Sequence, residues 1–317
     1  MYLGTTGYLK NWKFLVTNVN TSDDWDYDYA AIGGEANIYE DRASVNADMN
    51  PIHVIRECLR SKRFGLGLPD GEIDDNTLSG TSSDYTDSFH VASRKIYDEG
   101  IGISALWDKE STVEDFIKEI LRCIDAVVYI DRRSGKFKIR TIRDDYNVDD
   151  LLSITEDDIV SLNDYSKPTT GELINSVTVN YWDKETNTTG SVTVQNIALS
   201  SLQGRTMDTK VQYPFITNKA NAARLAQRDL RTLSTPTVKC TVIATEKAES
   251  LNIGDVFKLT YNDYGIFELP MRVVSISYGT PTDRSIRIQC VEDIFSTPKA
   301  AIVKPPDVLW VDPNPTV

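Results

Sequence analysis

The 317-residue chain has no apolar run long enough, at about eighteen residues, to cross a membrane as a helix, so no membrane anchor is expected. Its first residues, MYLGTTGYLKNWKFLV, lack the apolar core of a secretory signal. Synthesis and folding in a reducing cytoplasm are therefore expected. Histidine is nearly missing, with two in the chain, His53 and His90. Neither sits in an H-E-x-x-H pair or near a serine or cysteine elbow, which leaves no nucleophile–base pattern and no zinc set. The four cysteines, Cys58, Cys123, Cys240 and Cys290, are far apart and form no C-x-x-C pair. All four fall on apolar helix faces or in strand-like runs, as buried thiols do. Positive charge is also short. Thirty-four Lys and Arg against 47 Asp and Glu give a net charge of −13. Nucleic-acid binders neutralise phosphate with a basic face, so tight binding is not expected. An acidic wall that lets DNA slide past remains compatible with this balance.

What is present reads as scaffold. Asn50-Pro51 opens a helix, since Asn caps well and Pro suits the first turn. Ile52, Ile55, Cys58 and Leu59 share a face, and the helix is expected to stop near Arg63. A second helix is predicted from Thr86 to Glu99, closed by Gly100, and then a short strand at ISALW. The capping box Ser111-Thr112-Val113-Glu114 starts a third. Its stripe is Val113, Phe116, Ile117, Ile120, Leu121 and Ile124. AVVYID and KFKIRTIR form a hairpin around Arg132-Arg133-Ser134-Gly135.

Strands dominate beyond Tyr146. TEDDIVSL reads as a helical turn, and INSVTVNYW and GSVTVQN as a strand pair. A helix from Asn218 to Leu233 places Ala222, Ala226, Leu230 and Leu233 together. TVKCTVIAT, DVFKLTY, MRVVSISYG and SIRIQCVED make a small antiparallel barrel or sandwich, with Gly254 at a corner. The class is α+β. The expected division is 1–49 as an N-terminal β segment, 50–165 as an α+β domain, 166–297 as a β-rich barrel-like domain with one helix, and 298–317 as a Pro-rich extended tail. KNWKFLVTNV supplies the strand character of the first segment.

Candidate chemistry is thin. Gly65-Leu66-Gly67 follows a helix rather than a strand and lacks the third glycine of a dinucleotide loop. Ser134-Gly135-Lys136 lacks the earlier glycine of a phosphate loop. Asp24, Asp26, Asp28 and Glu35 partly imitate a calcium loop, but Tyr29 stands where glycine makes the sharp turn. A solvated acidic loop is the better reading, and no cofactor is expected. Carboxylates are too abundant for any pair to mark a glycosidase without geometry. The hairpin with Arg132, Arg133, Lys136, Lys138, Arg140 and Arg143 is the one dense basic segment. A solvated β-ribbon is the plainer reading of it, and beside that reading Arg132, Arg133 and Lys136 are its candidate contacts to an acidic neighbouring subunit.

Several blocks in one order carry a family resemblance. They are NPIHVIRECL, GLGLP, IDD, IYDEGIGISALWDKESTVEDFI and IDAVVYIDRRSGKFKIRTIRDDY. After them come GELINSVTVNYWD, LQGRTM, LAQRDLRTLSTP, LNIGDVFKLTY, MRVVSISYG and EDIFSTP. Over about residues 50–297 the chain resembles the tail-tip hub proteins of long-tailed bacteriophages, those related to tip attachment protein J and to gene transfer agent hubs. The resemblance implies a structural protein and not an enzyme: a homotrimeric ring in the virion, at the distal end of the tail tube. Its implied neighbours are the distal tail and tube proteins, the tape-measure protein, and tip or receptor-binding proteins. It implies a lining or closure for the DNA channel. A tail-associated glycan or peptidoglycan hydrolase and a host-receptor adhesin are the rival readings. With 49 residues before Asn50, the chain is expected to be a fragment or one part of a split hub.

Overall fold

The computed structural model describes residues 37–39, 47–69, 71–75, 86–105, 112–280 and 283–296. The acidic loop with Asp24, Asp26, Asp28 and Glu35, the KNWKFLVTNV strand and the Pro-rich segment 298–317 lie outside them. The class is α+β, with two apolar cores.

The chain enters through an antiparallel pair, β1 (Asn37–Tyr39) and β2 (Ala47–Met49). Helix α1 (Pro51–Arg60) starts where Asn50 Oδ1 accepts from Ile52 N at 3.1 Å. It ends at Arg60, before the expected Arg63. The chain turns there because Leu66 N donates to the Cys58 carbonyl at 2.9 Å. A Cβ on Gly65 would stand 2.3 Å from that carbonyl, so the turn requires glycine there. Helix α2 (Ser88–Glu99) begins at Asp87 and closes on Gly100, at φ 69°. His53 is buried, and its Nε2 lies 2.8 Å from Ser93 Oγ, which ties α1 to α2. The expected strand at ISALW reduces, within the described residues, to one bridge between Ile103 and Met49. Helix α3 (Val113–Ile124) takes Thr112 as its cap, one residue later than the Ser111 box. Thr112 Oγ1 accepts from Asp115 N at 3.2 Å and donates to its carboxylate at 2.8 Å.

The hairpin forms as expected, from β3 (Ala126–Ile130) and β4 (Phe137–Thr141). β5 (Leu152–Ile154) follows. The helical turn expected at TEDDIVSL covers Glu156–Asp158 and then gives way to β6 (Ile159–Ser166). β7 (Ser176–Asp183) pairs antiparallel with β8 (Thr188–Gln195) and parallel with β9 (Asp208–Tyr213). Gly190 lies opposite Tyr181, and a Cβ there would meet the ring at 2.6 Å. Between β8 and β9 runs α4 (Ile197–Gln203). Helix α5 (Lys219–Ser234), capped by Asn218, packs on β7 and β8 through Ala222, Leu225, Ala226 and Leu230. Leu233, expected on that face, lies in the last turn of the helix and is 38% exposed.

The remaining strands are β10 (Lys239–Ala244), β11 (Val256–Tyr261), β12 (Ile266–Ser277) and β13 (Ile286–Glu292). With β5 and β6 they form one six-stranded sheet, ordered β5-β11-β12-β13-β10-β6. It is antiparallel except where β5 runs parallel to β11. Only residues 155–158 join its two edge strands. A flat sheet would hold those edges about 24 Å apart, beyond the roughly 18 Å that so short a link spans. The sheet therefore curls. Tyr165 of β6 stacks on Tyr264 at 4.8 Å, and Tyr264 on Tyr261 of β11 at 5.6 Å, across the approaching edges.

The cores do not follow chain order. The first gathers α1, α2, α3, the hairpin, β7, β9 and α5. The second lies inside the curled sheet and includes Ile154 and Leu162 from β5 and β6. A single cut at residue 165 therefore does not separate them, since the chain enters the curled sheet, leaves it and returns. In the first core Phe116 meets Phe215 edge to face, with centroids 5.5 Å apart. Phe116→Ala is expected to destabilise the chain by about 3–5 kcal/mol. A denaturant melt checks this, and a loss under about 1 kcal/mol would mean that the α3 stripe is not a core contact.

Candidate interface and the clasp between the cores

The basic hairpin is anchored before it is available to a partner. Asp131, at the end of β3, is buried. Its carboxylate accepts from Ser134 Oγ at 2.7 Å and faces Lys138 Nζ at 3.0 Å. Its carbonyl accepts from Gly135 N at 2.7 Å, and Gly135 takes φ 71°. The Ser134 hydrogen bond, ahead of the opposing effect of burial and with help from Lys138, holds the Asp131 carboxyl down at about 2.

Most of the six basic side chains are occupied within the chain. Lys138 serves Asp131, and Arg140 pairs with Asp255. Arg143 grips both oxygens of Glu99 at 2.6 and 2.8 Å. It also donates to the carbonyls of Ile124 and Asp125, the open C-terminal end of α3. Arg132 lies over the Tyr278 ring at 4.6 Å and 3.6 Å from Glu249. Of the three expected contact residues, Arg132 thus turns back onto the curled sheet. Among the described residues Arg133 and Lys136 form no ion pair. Arg133 is exposed at the tip and Lys136 is half-buried. Beside them Ile130 is 59% exposed.

The residues that join the two cores were not singled out in the sequence. Arg272 of β12 and Asp293, just after β13, are both buried. They pair at 3.0 Å. Arg272 also donates to the carbonyls of Gly254 and Arg143, each at 2.9 Å. Tyr146 donates its hydroxyl to Asp293. Burial, then that contact with Asp293, pushes the Tyr146 hydroxyl well above its ordinary value. From α5, Arg231 donates to the Ile294 carbonyl at 2.9 Å and lies over Phe295 at 5.6 Å. No spacing or motif marks these residues. Each is a lone polar side chain on its own strand, helix or loop.

Beside the clasp runs a groove of about 210 Å³, lined by residues that include Arg140, Asp145, Asp150, Asp255 and Arg272. Its charges are largely matched internally. Lys95 reaches Asp145 at 2.6 Å and Arg140 takes Asp255, while Asp150 accepts from the neutral amide of Asn147 at 3.0 Å and keeps its charge. Burial raises the Asp145 carboxyl, but Lys95 outweighs it, and the group lies below its ordinary value. A general acid needs the opposite shift. Among the described residues no cluster of His, Cys, Asp or Glu is arranged to hold a metal ion. No helix among them is long and apolar enough to cross a membrane.

Residues 112–276 match a family model described as "Putative phage tail protein", a span of more than half the chain. The chain belongs to this family. The span shared with the phage tail family runs from the Thr112 cap through the hairpin, Arg143, Tyr146 and Arg272. No curated protein matches the chain. Among solved structures it is similar to a 43 kDa tail protein of prophage MuSo2 from Shewanella oneidensis, at 13% identity and a TM-score of 0.41. That match covers 61% of this chain and 55% of the other. A chain in the virion of a native gene transfer agent particle matches at 14% identity and a TM-score of 0.47, over 77% and 57%. A tail protein from Neisseria meningitidis MC58 matches at 11% and 0.45, over 61% and 59%. The phage tail chain described here thus spans between 55% and 59% of these three structures. At such identities and scores the likeness carries no functional information.

Two expectations follow from the geometry. Arg272→Met leaves Asp293 buried without its cation, and should cost about 3–5 kcal/mol in a urea melt. A loss under about 1 kcal/mol would show that water reaches the pair. Asp131 has a folded value depressed to about 2, so its stabilisation is complete above the ordinary carboxyl value, about 4. That stabilisation is lost as pH falls through about 2. The protection factor of the Gly135 amide, with the intrinsic pH dependence of exchange divided out, should fall over this window, and Asp131→Asn should remove that fall. An unchanged acid response in Asp131→Asn would remove Asp131 as the anchor.

Proposed function

We propose that this phage tail protein is a structural hub of the tail tip, one protomer of a homotrimeric ring at the distal end of the tail tube. The family match from the α3 cap to the end of β12 is the observation that carries this reading. The internal matching of charge in the groove supports a scaffold role over catalysis. Its neighbours in the virion are the distal tail and tube proteins above and the tip or receptor-binding proteins below. The tape-measure protein and DNA pass through the channel that the ring lines or closes.

A closed ring needs two different complementary patches on each protomer. The hairpin tip, with Arg133, Lys136 and the exposed Ile130, supplies one. The acidic loop with Asp149 and Asp150, both exposed, supplies the charge that complements it. Binding to DNA is weak in this reading, because Lys138, Arg140 and Arg143 are taken by internal carboxylates.

Light scattering after size exclusion, with negative-stain imaging, is expected to show three-fold rings, formed by the chain alone or with its tube neighbour. Arg133→Glu with Lys136→Glu should dissociate them, and Asp149→Lys with Asp150→Lys on top should restore them. A stable dimer, or rings indifferent to both charge reversals, overturns the assignment. Submicromolar, salt-sensitive duplex binding in an anisotropy titration would instead favour a nucleic-acid-binding protein.

A further inference from the structure

Cys240 and Cys290 stand directly opposite each other on β10 and β13, the fifth and fourth strands of the curled sheet. Their sulfurs are 3.5 Å apart. Directly opposed residues in an antiparallel pair have Cα atoms about 4.5–5.5 Å apart, inside the range of about 4.4–6.8 Å that a disulfide spans. Both side chains point into the same core, each 4% exposed. All four cysteines of the chain are free thiols in this structure. We propose that Cys240 and Cys290 are a covalent modification site: a disulfide that forms when the protein meets an oxidising small-molecule disulfide and staples β10 to β13.

The inference goes beyond the hub reading and is independent of it, since strand register and side-chain direction carry it. The other two thiols supply an internal control. Cys58 is on α1 and Cys123 on α3, in the other core. All four thiols are buried, so strand register and the facing sulfurs, not burial, set Cys240 and Cys290 apart. Among the described residues the sulfur–sulfur contact is the one between Cys240 and Cys290.

The chemistry is thiol–disulfide exchange with oxidised glutathione. The thiolate of one cysteine attacks a glutathione sulfur. The glutathione disulfide breaks, one glutathione thiolate leaves, and a mixed disulfide remains on the protein. The second cysteine then attacks the protein sulfur of that mixed disulfide, and the second glutathione thiolate leaves. The two cysteine protons end on the two glutathione thiols. Two cysteines are oxidised and one glutathione disulfide is reduced. Because both thiols are buried, the first attack needs local opening of the sheet and takes place over hours. The bond closes a loop across a separation of 50 residues that contains all of β11 and β12, and with them Arg272.

The test uses the full chain, reduced, freed of reductant and incubated folded with oxidised glutathione. A second sample is refolded from guanidinium in the same redox buffer, which supplies access if the folded sheet excludes the oxidant. Both are then unfolded, alkylated and mapped by mass spectrometry. The expected result in at least one sample is alkyl groups on Cys58 and Cys123 only, and a 240–290 linked peptide that reductant releases. The linked form should melt about 5–10 °C higher than the reduced form. In Cys290→Val, and in Cys290→Ala should valine overpack the core, the oxidant should leave the melting temperature unchanged. Four alkylated cysteines in both samples, a link through Cys58 or Cys123, or glutathione left on Cys240 or Cys290 would overturn the proposal. So would an oxidant-dependent stabilisation that survives in both variants.

Discussion

Arg272 brings a guanidinium into the interior, and much of the architecture is arranged around satisfying it. Its pairing with Asp293 joins β12 to the end of β13. Its bond to the Arg143 carbonyl joins the curled sheet to the chain leaving the hairpin. Arg143 in turn holds Glu99 at the end of α2 and the last carbonyls of α3. One continuous run of charge-assisted bonds thus passes from the helices to the second core. A buried pair of this kind contributes little net stability against an apolar substitute, because desolvation offsets most of its attraction. What it contributes is position. Removing either partner strands a charge, so the two cores are tolerated in the arrangement that keeps both partners matched.

Helix α5 shows the same device a second time. Arg224 donates to the Glu99 carbonyl at 2.6 Å, and Asn221 to that of Gly100 at 3.1 Å, at the C-terminal end of α2. Arg228 donates to the carbonyls of Cys123 and Arg122 at the end of α3. Helix C-termini carry unsatisfied carbonyls and partial negative charge, and a guanidinium answers both. Two helices from early in the chain are finished by side chains about a hundred residues later. Arg228 is half-buried in doing so, while Arg224 stays exposed.

Local signals in the sequence were dependable where the interaction that decides them is local. Asn50, Gly100 and Asn218 mark helix ends because the groups they bond lie within a few residues. The Arg132–Gly135 turn is set by Asp131 beside it. The capping box shifted by one residue because Ser111-x-x-Glu114 and Thr112-x-x-Asp115 fit the same rule equally well. Leu233 was misplaced because helical period places a side chain on a face but does not say whether the last turn of the helix is still covered.

The sequence by itself determined the α+β class, helices α1, α2, α3 and α5, and strands β3, β4, β7, β8 and β10 to β13, while α4, β5, β6 and β9 carried no signal it could read. What it determined depends on periodicity, caps or composition, which act over short stretches of chain. Tertiary structure alone decided that β5 and β6 return to the curled sheet while β7 to β9 pack with the helices. It alone set Arg272 against Asp293, and brought Cys240 opposite Cys290. Those pairings depend on strand register and on burial, and neither exists until segments far apart in the chain have met.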